Sequence, residues 1–184
     1  MEIKQTSIDG ALIIEPKVFG DQRGYFLETF SVGRYEQAGI KGPFIQDNLS
    51  FSRRGVLRGL HFQNPGSQGK LVSAPMGEVY DVALDIRQGS PTFGAWFGIL
   101  LSGENKRQFW LPPGLAHGFV VLSETALFSY KCTEYYAPSS EQTILWNDPK
   151  IGIEWPAVEG LELSAKDRQG RPLADLDPKS LPVY

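Results

Sequence analysis

The chain has one cysteine and only two histidines in 184 residues. A lone thiol, Cys132, can neither close an internal disulfide nor furnish a thiolate zinc site by itself. With only His61 and His117, and no His-x-His pair, the sequence is thin in metal ligands. A metal-binding barrel usually gathers two or three imidazoles beside a carboxylate. The expectation is therefore no metal and no cofactor. Basic clusters are missing too. The longest is the Arg53-Arg54 pair, and the net charge is −3. Nucleic acid is an unsuitable partner, because phosphate binding needs clustered Lys and Arg. No apolar run approaches the roughly 18 residues that cross a bilayer. No charged segment followed by an apolar one opens the chain in the manner of a signal peptide. These absences lead to the expectation of a reduced, cytoplasmic protein with no membrane contact.

Turn residues are abundant: twenty glycines and thirteen prolines, spread along the chain. Between them lie short apolar runs, a pattern that favours an all-β fold. Residues 11–19 read as a strand interrupted by Pro16. Residues 31–39 are the best helix candidate, with Ser31 to cap it and Gly39 to stop it. From Phe44 strand-like runs follow in succession, parted by turns such as Arg53-Arg54-Gly55, Asn64-Pro65-Gly66 and Pro112-Pro113-Gly114. In 79–86, Val79, Asp81, Ala83 and Asp85 share one face and Tyr80, Val82, Leu84 and Ile86 the other. That alternation suggests a barrel wall with a core on one side and a polar lumen on the other. The reading is one domain over 1–184: N-terminal strands in 1–45, a barrel from about 46 to 147, and an arm of loops and a helical turn over 148–184.

The residues able to do chemistry are few. His61 stands in Arg58-Gly59-Leu60-His61-Phe62-Gln63, with Lys70 soon after. A neutral imidazole beside fixed cations suits proton abstraction, the cation meeting the negative charge that develops on the substrate. It equally suits a structural histidine with both nitrogens satisfied. Strict alternation puts Arg58 and His61 on opposite faces. They share a pocket only if Gly59 marks a bulge. His117 follows the Pro-Pro-Gly turn, facing a loop or a pocket rim. Among Tyr130, Tyr135 and Tyr136, one can act as an acid opposite the base. Tyr135-Tyr136 or Trp146 can stack on a nucleobase, and packing explains all of them as well. Arg23 and Glu28 flank a tight turn, as a phosphate grip or a surface ion pair. Gln46-Asp47-Asn48 reads as an amide-rich binding edge or a turn. Asp167 is a candidate to orient an imidazole.

Taken together, DQRGYFLETF, QDNLSFSRRGVLRGLHFQ, QGKLVSAPMGEVYDVALDIRQGSPTFGAWFGILLS, LPPGLAHGF, YKCTEYYAP, LWNDPKIGIEWP and LSAKD resemble the dTDP-4-dehydrorhamnose 3,5-epimerase family, in order and over nearly the whole chain. The resemblance implies a double-stranded β-helix (cupin) jelly-roll barrel and a homodimer with strands exchanged or added between subunits. It implies inversion of C3 and C5 in a 4-keto-6-deoxy sugar carried on dTDP. His61 matches the general base, Asp167 the carboxylate paired with it, Tyr130 the general acid, and Lys70 the cation at the C4 oxygen. Arg23, Glu28, Gln46, Asn48, Arg58, Lys70, His117, Glu141 and Lys166 match substrate-binding residues, and Tyr136 the aromatic that stacks on thymine.

The chemistry agrees with the residues. Both C3 and C5 adjoin the ketone, so both protons are acidified by it. Removing one leaves an enolate, and reprotonation from the other face inverts the centre. Three alternatives remain at this level. A mono-epimerase would carry the same motifs and differ in how the sugar sits. A non-catalytic sugar-nucleotide binder should lack the base or the acid. A metal-dependent cupin enzyme should have more ligands.

Overall fold

The computed structural model describes residues 1–184. Strands β1 (Glu2–Gln5) and β2 (Leu12–Glu15) come first, then a hairpin of β3 (Val18–Asp21) and β4 (Gly24–Leu27), and the short helix α1 (Val32–Gln37). Eight strands follow: β5 (Gln46–Arg53), β6 (Val56–Gln63), β7 (Lys70–Met76), β8 (Glu78–Asp85), β9 (Trp96–Ser102), β10 (Gln108–Leu111), β11 (Leu115–Val121) and β12 (Thr125–Cys132). The remainder holds β13 (Glu141–Thr143), β14 (Glu162–Leu163), the one-turn helix α2 (Ala165–Arg168) and short 3-10 turns. Pro16 splits the 11–19 run into β2 and β3, as its missing N–H requires. Helix α1 falls inside 31–39, and Gly39 follows it at φ +86°. Ser31 takes the cap position but makes no capping bond. The helix is anchored by Tyr35 instead, which is buried and donates to Gln108 Oε1 at 2.6 Å.

Two sheets face each other. One has the order β1-β2-β10-β7-β12-β5 and the other β13-β6-β11-β8-β9, with β14 beside β6. This is the all-β jelly-roll barrel expected from the resemblance. Val72, Phe109 and Phe128 of the first sheet pack against Val79, Ala83, Leu101 and Val121 of the second. Each large side chain so buried contributes roughly 1.5–3 kcal/mol relative to exposure.

β8 does not itself line the polar lumen that its alternation suggested. Its inward face carries Val79 and Ala83 into the main core, and its carboxylates are consumed by neighbours. Asp81 holds His117, and Asp85 accepts from Arg87, Ser90 and Thr92. Burial pushes the Asp85 carboxyl up, but those bonds outweigh it and hold it at about 2. The other face is buried as well. Val82, Leu84 and Ile86 join a second core with Leu60, Phe62, Leu176 and Leu181, against which Ile151, Trp155 and Leu173 pack. The C-terminal segment thus covers the outside of β6 and β8. That placement also fixes where Asp167 can reach.

β5 is one edge of the first sheet, opposite β1, and the β3–β4 hairpin pairs with no other strand.

Candidate active site

β6 and β11 run antiparallel with His61 opposite His117 and Arg58 opposite Phe119. Three steps along β6 therefore match two along β11. This is the bulge that the Arg58–His61 conflict demands. Gly59 lies at φ +118°, and a Cβ there would sit 2.6 Å from Gly118 Cα and 2.7 Å from the His117 carbonyl oxygen. Only glycine fits a backbone so close and so turned. The extra residue brings Arg58 and His61 to the same cavity.

That cavity, of about 310 Å³, opens between the two sheets. Gln46, Asn48 and Ser50 of β5, Lys70 of β7, and Phe128 and Tyr130 of β12 form one wall. Arg58 and His61 of β6, His117 and Phe119 of β11, and Glu141 of β13 form the other. His61 and Tyr130 therefore approach a ligand from opposite sheets. A base and an acid so placed can work on opposite faces of one ring. A roomier groove of about 580 Å³ lies by Phe93, Ile151 and Leu173 on the C-terminal segment, with no imidazole or tyrosine in its lining. The smaller cavity is the one with chemistry.

His61 Nε2 lies 2.5 Å from Asp167 Oδ1. Asp167 is held from three sides. It also accepts from the Ser164 hydroxyl at 2.7 Å and from the Gly59 N–H at 3.4 Å. Ser164 caps α2 by accepting from the Asp167 N–H, so the helix start and the dyad are one structure. Burial pushes the Asp167 carboxyl up, but the bonds to His61 and Ser164 win and keep it below the usual carboxylate value. A second pair stands beside the first, with His117 Nε2 2.8 Å from Asp81 Oδ2. The His117 ring stacks on Phe128, with centroids 5.9 Å apart and planes 18° apart.

The cations divide by engagement. Lys166 Nζ donates to Glu141 at 2.7 Å, and Arg58 donates to Ser52 Oγ at 3.1 and 3.2 Å. Lys70 enters no such pair, and burial pushes its ammonium below the usual lysine value. Burial also pushes the Tyr130 phenol up, which keeps it in its proton-donating form. At the cavity mouth the Tyr136 hydroxyl donates to Glu141 at 2.8 Å, and its N–H donates to Gln46. Burial pushes the Glu141 carboxyl up, yet the bonds from Lys166 and Tyr136 hold it below its ordinary value.

The fold thus gathers His61, Lys70, Tyr130, Gln46, Asn48, Arg58, His117, Glu141 and Tyr136 around one cavity, with Asp167 and Lys166 bonded to members of it. Arg23 and Glu28 are not among them. Arg23 pairs with Asp21 on the exposed hairpin, and Glu28 with Arg34. Of the candidate stacking aromatics, Tyr136 lines the cavity, while Trp146 packs on Trp155 away from it. Asp81 and Ser50 escaped the sequence reading. Asp81 was visible as an acid in an apolar run, but the run alone does not name its partner. No group of three or more His, Cys, Asp and Glu side chains converges on one point, and no helix is long and apolar enough to cross a membrane.

The family model for dTDP-4-dehydrorhamnose 3,5-epimerase matches residues 5–175. A dTDP-4-dehydrorhamnose 3,5-epimerase of Salmonella typhimurium is 58% identical over 177 residues, covering 95% of this chain and 96% of that protein. A crystal structure of a dTDP-6-deoxy-D-glucose-3,5-epimerase from Legionella pneumophila, in complex with dTDP-4-keto-L-rhamnose, superposes with a TM-score of 0.97 at 56% identity, covering 100% of this chain and 98% of that one. A 3'-monoepimerase from Streptomyces bikiniensis, in complex with dTDP-quinovose, shares the fold at a TM-score of 0.89 and 37% identity, covering 97% and 92%.

Proposed function

The chain belongs to the dTDP-4-dehydrorhamnose 3,5-epimerase family, and from that membership we propose how its own residues carry the reaction. It is an isomerase that converts dTDP-4-dehydro-6-deoxy-D-glucose to dTDP-4-dehydro-L-rhamnose by inverting C3 and C5. The carrying observation is the His61–Asp167 dyad facing Tyr130 across a cavity fed by both sheets.

His61 takes the proton from the carbon beside the ketone, and the C–H electron pair moves into an enolate on the C4 oxygen. Asp167 fixes the imidazole and stabilises the imidazolium that forms. Lys70, unpaired in the chain, and His117 meet the oxyanion, the interaction that usually dominates such rates. Tyr130 gives its proton to the opposite face of the same carbon. Proton exchange with solvent resets both groups, and the cycle repeats at the second carbon. Tyr136 stacks on thymine, while Gln46, Asn48, Arg58, Glu141 and Lys166 hold the rest of the sugar nucleotide.

The protein acts as a homodimer in the cytoplasm. The unpartnered hairpin exposes Phe19, Tyr25 and Phe26, and β5 exposes Leu49 and Phe51. A two-stranded ribbon is marginal in water on its own, and clustered exposed aromatics mark an interface. A second copy covering these surfaces brings Arg23 and Glu28 to its partner's cavity, which accounts for their distance from their own. Sedimentation velocity should find a dimer, and a fully active monomer overturns this assembly. The free, buried Cys132 suits a reducing compartment.

Incubation with dTDP-4-keto-6-deoxyglucose in D₂O tests the reaction. Deuterium should enter C3 and C5, and should enter neither in His61→Ala. Uptake at one carbon alone makes the protein a mono-epimerase. Uptake at neither, with binding retained, leaves a sugar-nucleotide binder.

A further inference from the structure

Every buried polar side-chain atom has a hydrogen-bond partner except Ser50 Oγ and Asp81 Oδ1. Asp81 Oδ1 belongs to a carboxylate whose other oxygen already holds His117. Ser50 has no side-chain bond at all, although it borders the cavity. It stands in the inward row of β5, and the rest of that row is engaged. Gln46 accepts from the Tyr136 N–H and donates to Asn48, Asn48 donates to Cys132 Sγ, and Ser52 accepts from Arg58. Across the strand from Ser50 is Phe128, on which Phe119 stacks at 4.1 Å. A hydroxyl left unpaired in such a corner destabilises the fold, and an alanine would not. Its use lies in what enters the cavity.

We propose that Ser50 hydrogen-bonds the C2 hydroxyl of the sugar and selects for substrates that carry one. The inference rests on the sugar-nucleotide reading above. The choice of C2 follows from the reaction. C4 carries the ketone, C6 is a methyl group, and the C3 hydroxyl changes face when its carbon inverts. Of the two ring hydroxyls only that at C2 keeps its configuration through both inversions, so it is the one a residue on a rigid strand can hold from first step to last. Rotation about the Ser50 Cα–Cβ bond, between staggered wells, turns the oxygen from the wall into the cavity.

Four values of kcat/KM test this: wild type and Ser50→Ala, each with dTDP-4-keto-6-deoxyglucose and with its 2-deoxy-2-fluoro analogue. Deuterium uptake is read at C5, away from the fluorine. Wild type should lose about tenfold on the analogue, and Ser50→Ala about tenfold on the parent sugar. The variant should lose almost nothing more on the analogue, since one hydrogen bond cannot be lost twice. Losses that multiply, or a Ser50→Ala enzyme as fast as wild type, overturn the proposal. Ser50→Ala should also melt at or above the wild-type temperature; a lower value means the hydroxyl serves the fold, and likewise overturns it. Wild type that exchanges no deuterium on the parent sugar sinks the epimerase reading itself, a separate failure.

Discussion

The cavity holds two histidine–aspartate pairs on adjacent strands, and they are built differently. His61 and His117 face each other across β6 and β11, and each is bonded through Nε2 to one carboxylate. Asp81 comes from the neighbouring strand β8, 36 residues before its histidine. Asp167 comes from the C-terminal segment, 106 residues after its own. The His61 side chain is 23% exposed and that of His117 9%. Asp167 is held by Ser164 and Gly59 as well as by His61, whereas one oxygen of Asp81 has no partner. The more open imidazole has the better supported carboxylate. A base must release its proton to solvent between cycles while its ring orientation stays fixed, and the His61 pair meets both needs. The His117 ring, clamped on Phe128, is suited to stay put and meet charge. Like pairs become unlike parts through burial and support.

Replacing Asp167 by Asn separates the two pairs most sharply. The amide cannot stabilise an imidazolium and can hold the ring in the wrong tautomer, as in the serine-protease triad. We expect kcat to fall by a hundredfold or more, KM to change little, and deuterium uptake at C3 and C5 to fall with kcat. Steady-state kinetics beside an NMR wash-in measures both. A loss below about fivefold would mean that His61 does not depend on its carboxylate.

Asp81→Asn should act more weakly. His117 keeps its stacking partner and a hydrogen-bonding neighbour, so only part of the oxyanion stabilisation goes. A drop of about tenfold in kcat is expected, within the range that a single hydrogen bond to a charged group supplies. If Asp81→Asn costs as much as Asp167→Asn, the two pairs do the same work, and the division of labour between them is wrong.

Much of this design can be read in the chain, for physical reasons. Turn residues punctuate strands locally, so Pro16, Gly39 and the Pro112-Pro113-Gly114 turn mark boundaries that hold. The Gly59 bulge follows from a contradiction within six residues, because Arg58 and His61 cannot otherwise share a face. Contacts between distant segments are not local. Asp167 joins His61 only once the C-terminal segment has folded over β6, so its role came from resemblance and not from spacing. The face of β8 misleads because alternation reports polarity and not partners. Asp81 and Asp85 look solvated until His117 and Arg87 are brought to them. Arg23 and Glu28 are the extreme case: the chain pairs them with Asp21 and Arg34 away from the cavity, and only the proposed dimer gives them a place in a site.

The smallest expected effect concerns stability in acid. Asp167 has its folded-state value below the ordinary carboxylate 3.8, because its bonds to His61 and Ser164 outweigh burial. A carboxyl lowered on folding stabilises the native state at every pH above its unfolded value. That contribution is lost as pH falls through the folded value, where native and unfolded states bind the proton alike. Asp167→Asn removes it at all pH values. The melting temperature of the variant should therefore lie below wild type at pH 7, by a few degrees, since roughly 1 kcal/mol corresponds to 2–4 °C in a domain of this size. The gap should narrow once the pH drops below about 4. Asp85, held at about 2 by Arg87, Ser90 and Thr92, keeps supporting β8 through the same range, so the barrel survives while the gap is read. Thermal melts of both proteins from pH 7 to pH 3 make the measurement. A gap that stays constant into acid would mean that the Asp167 carboxylate contributes by shape and not by charge, and the electrostatic half of its contrast with Asp81 would fall.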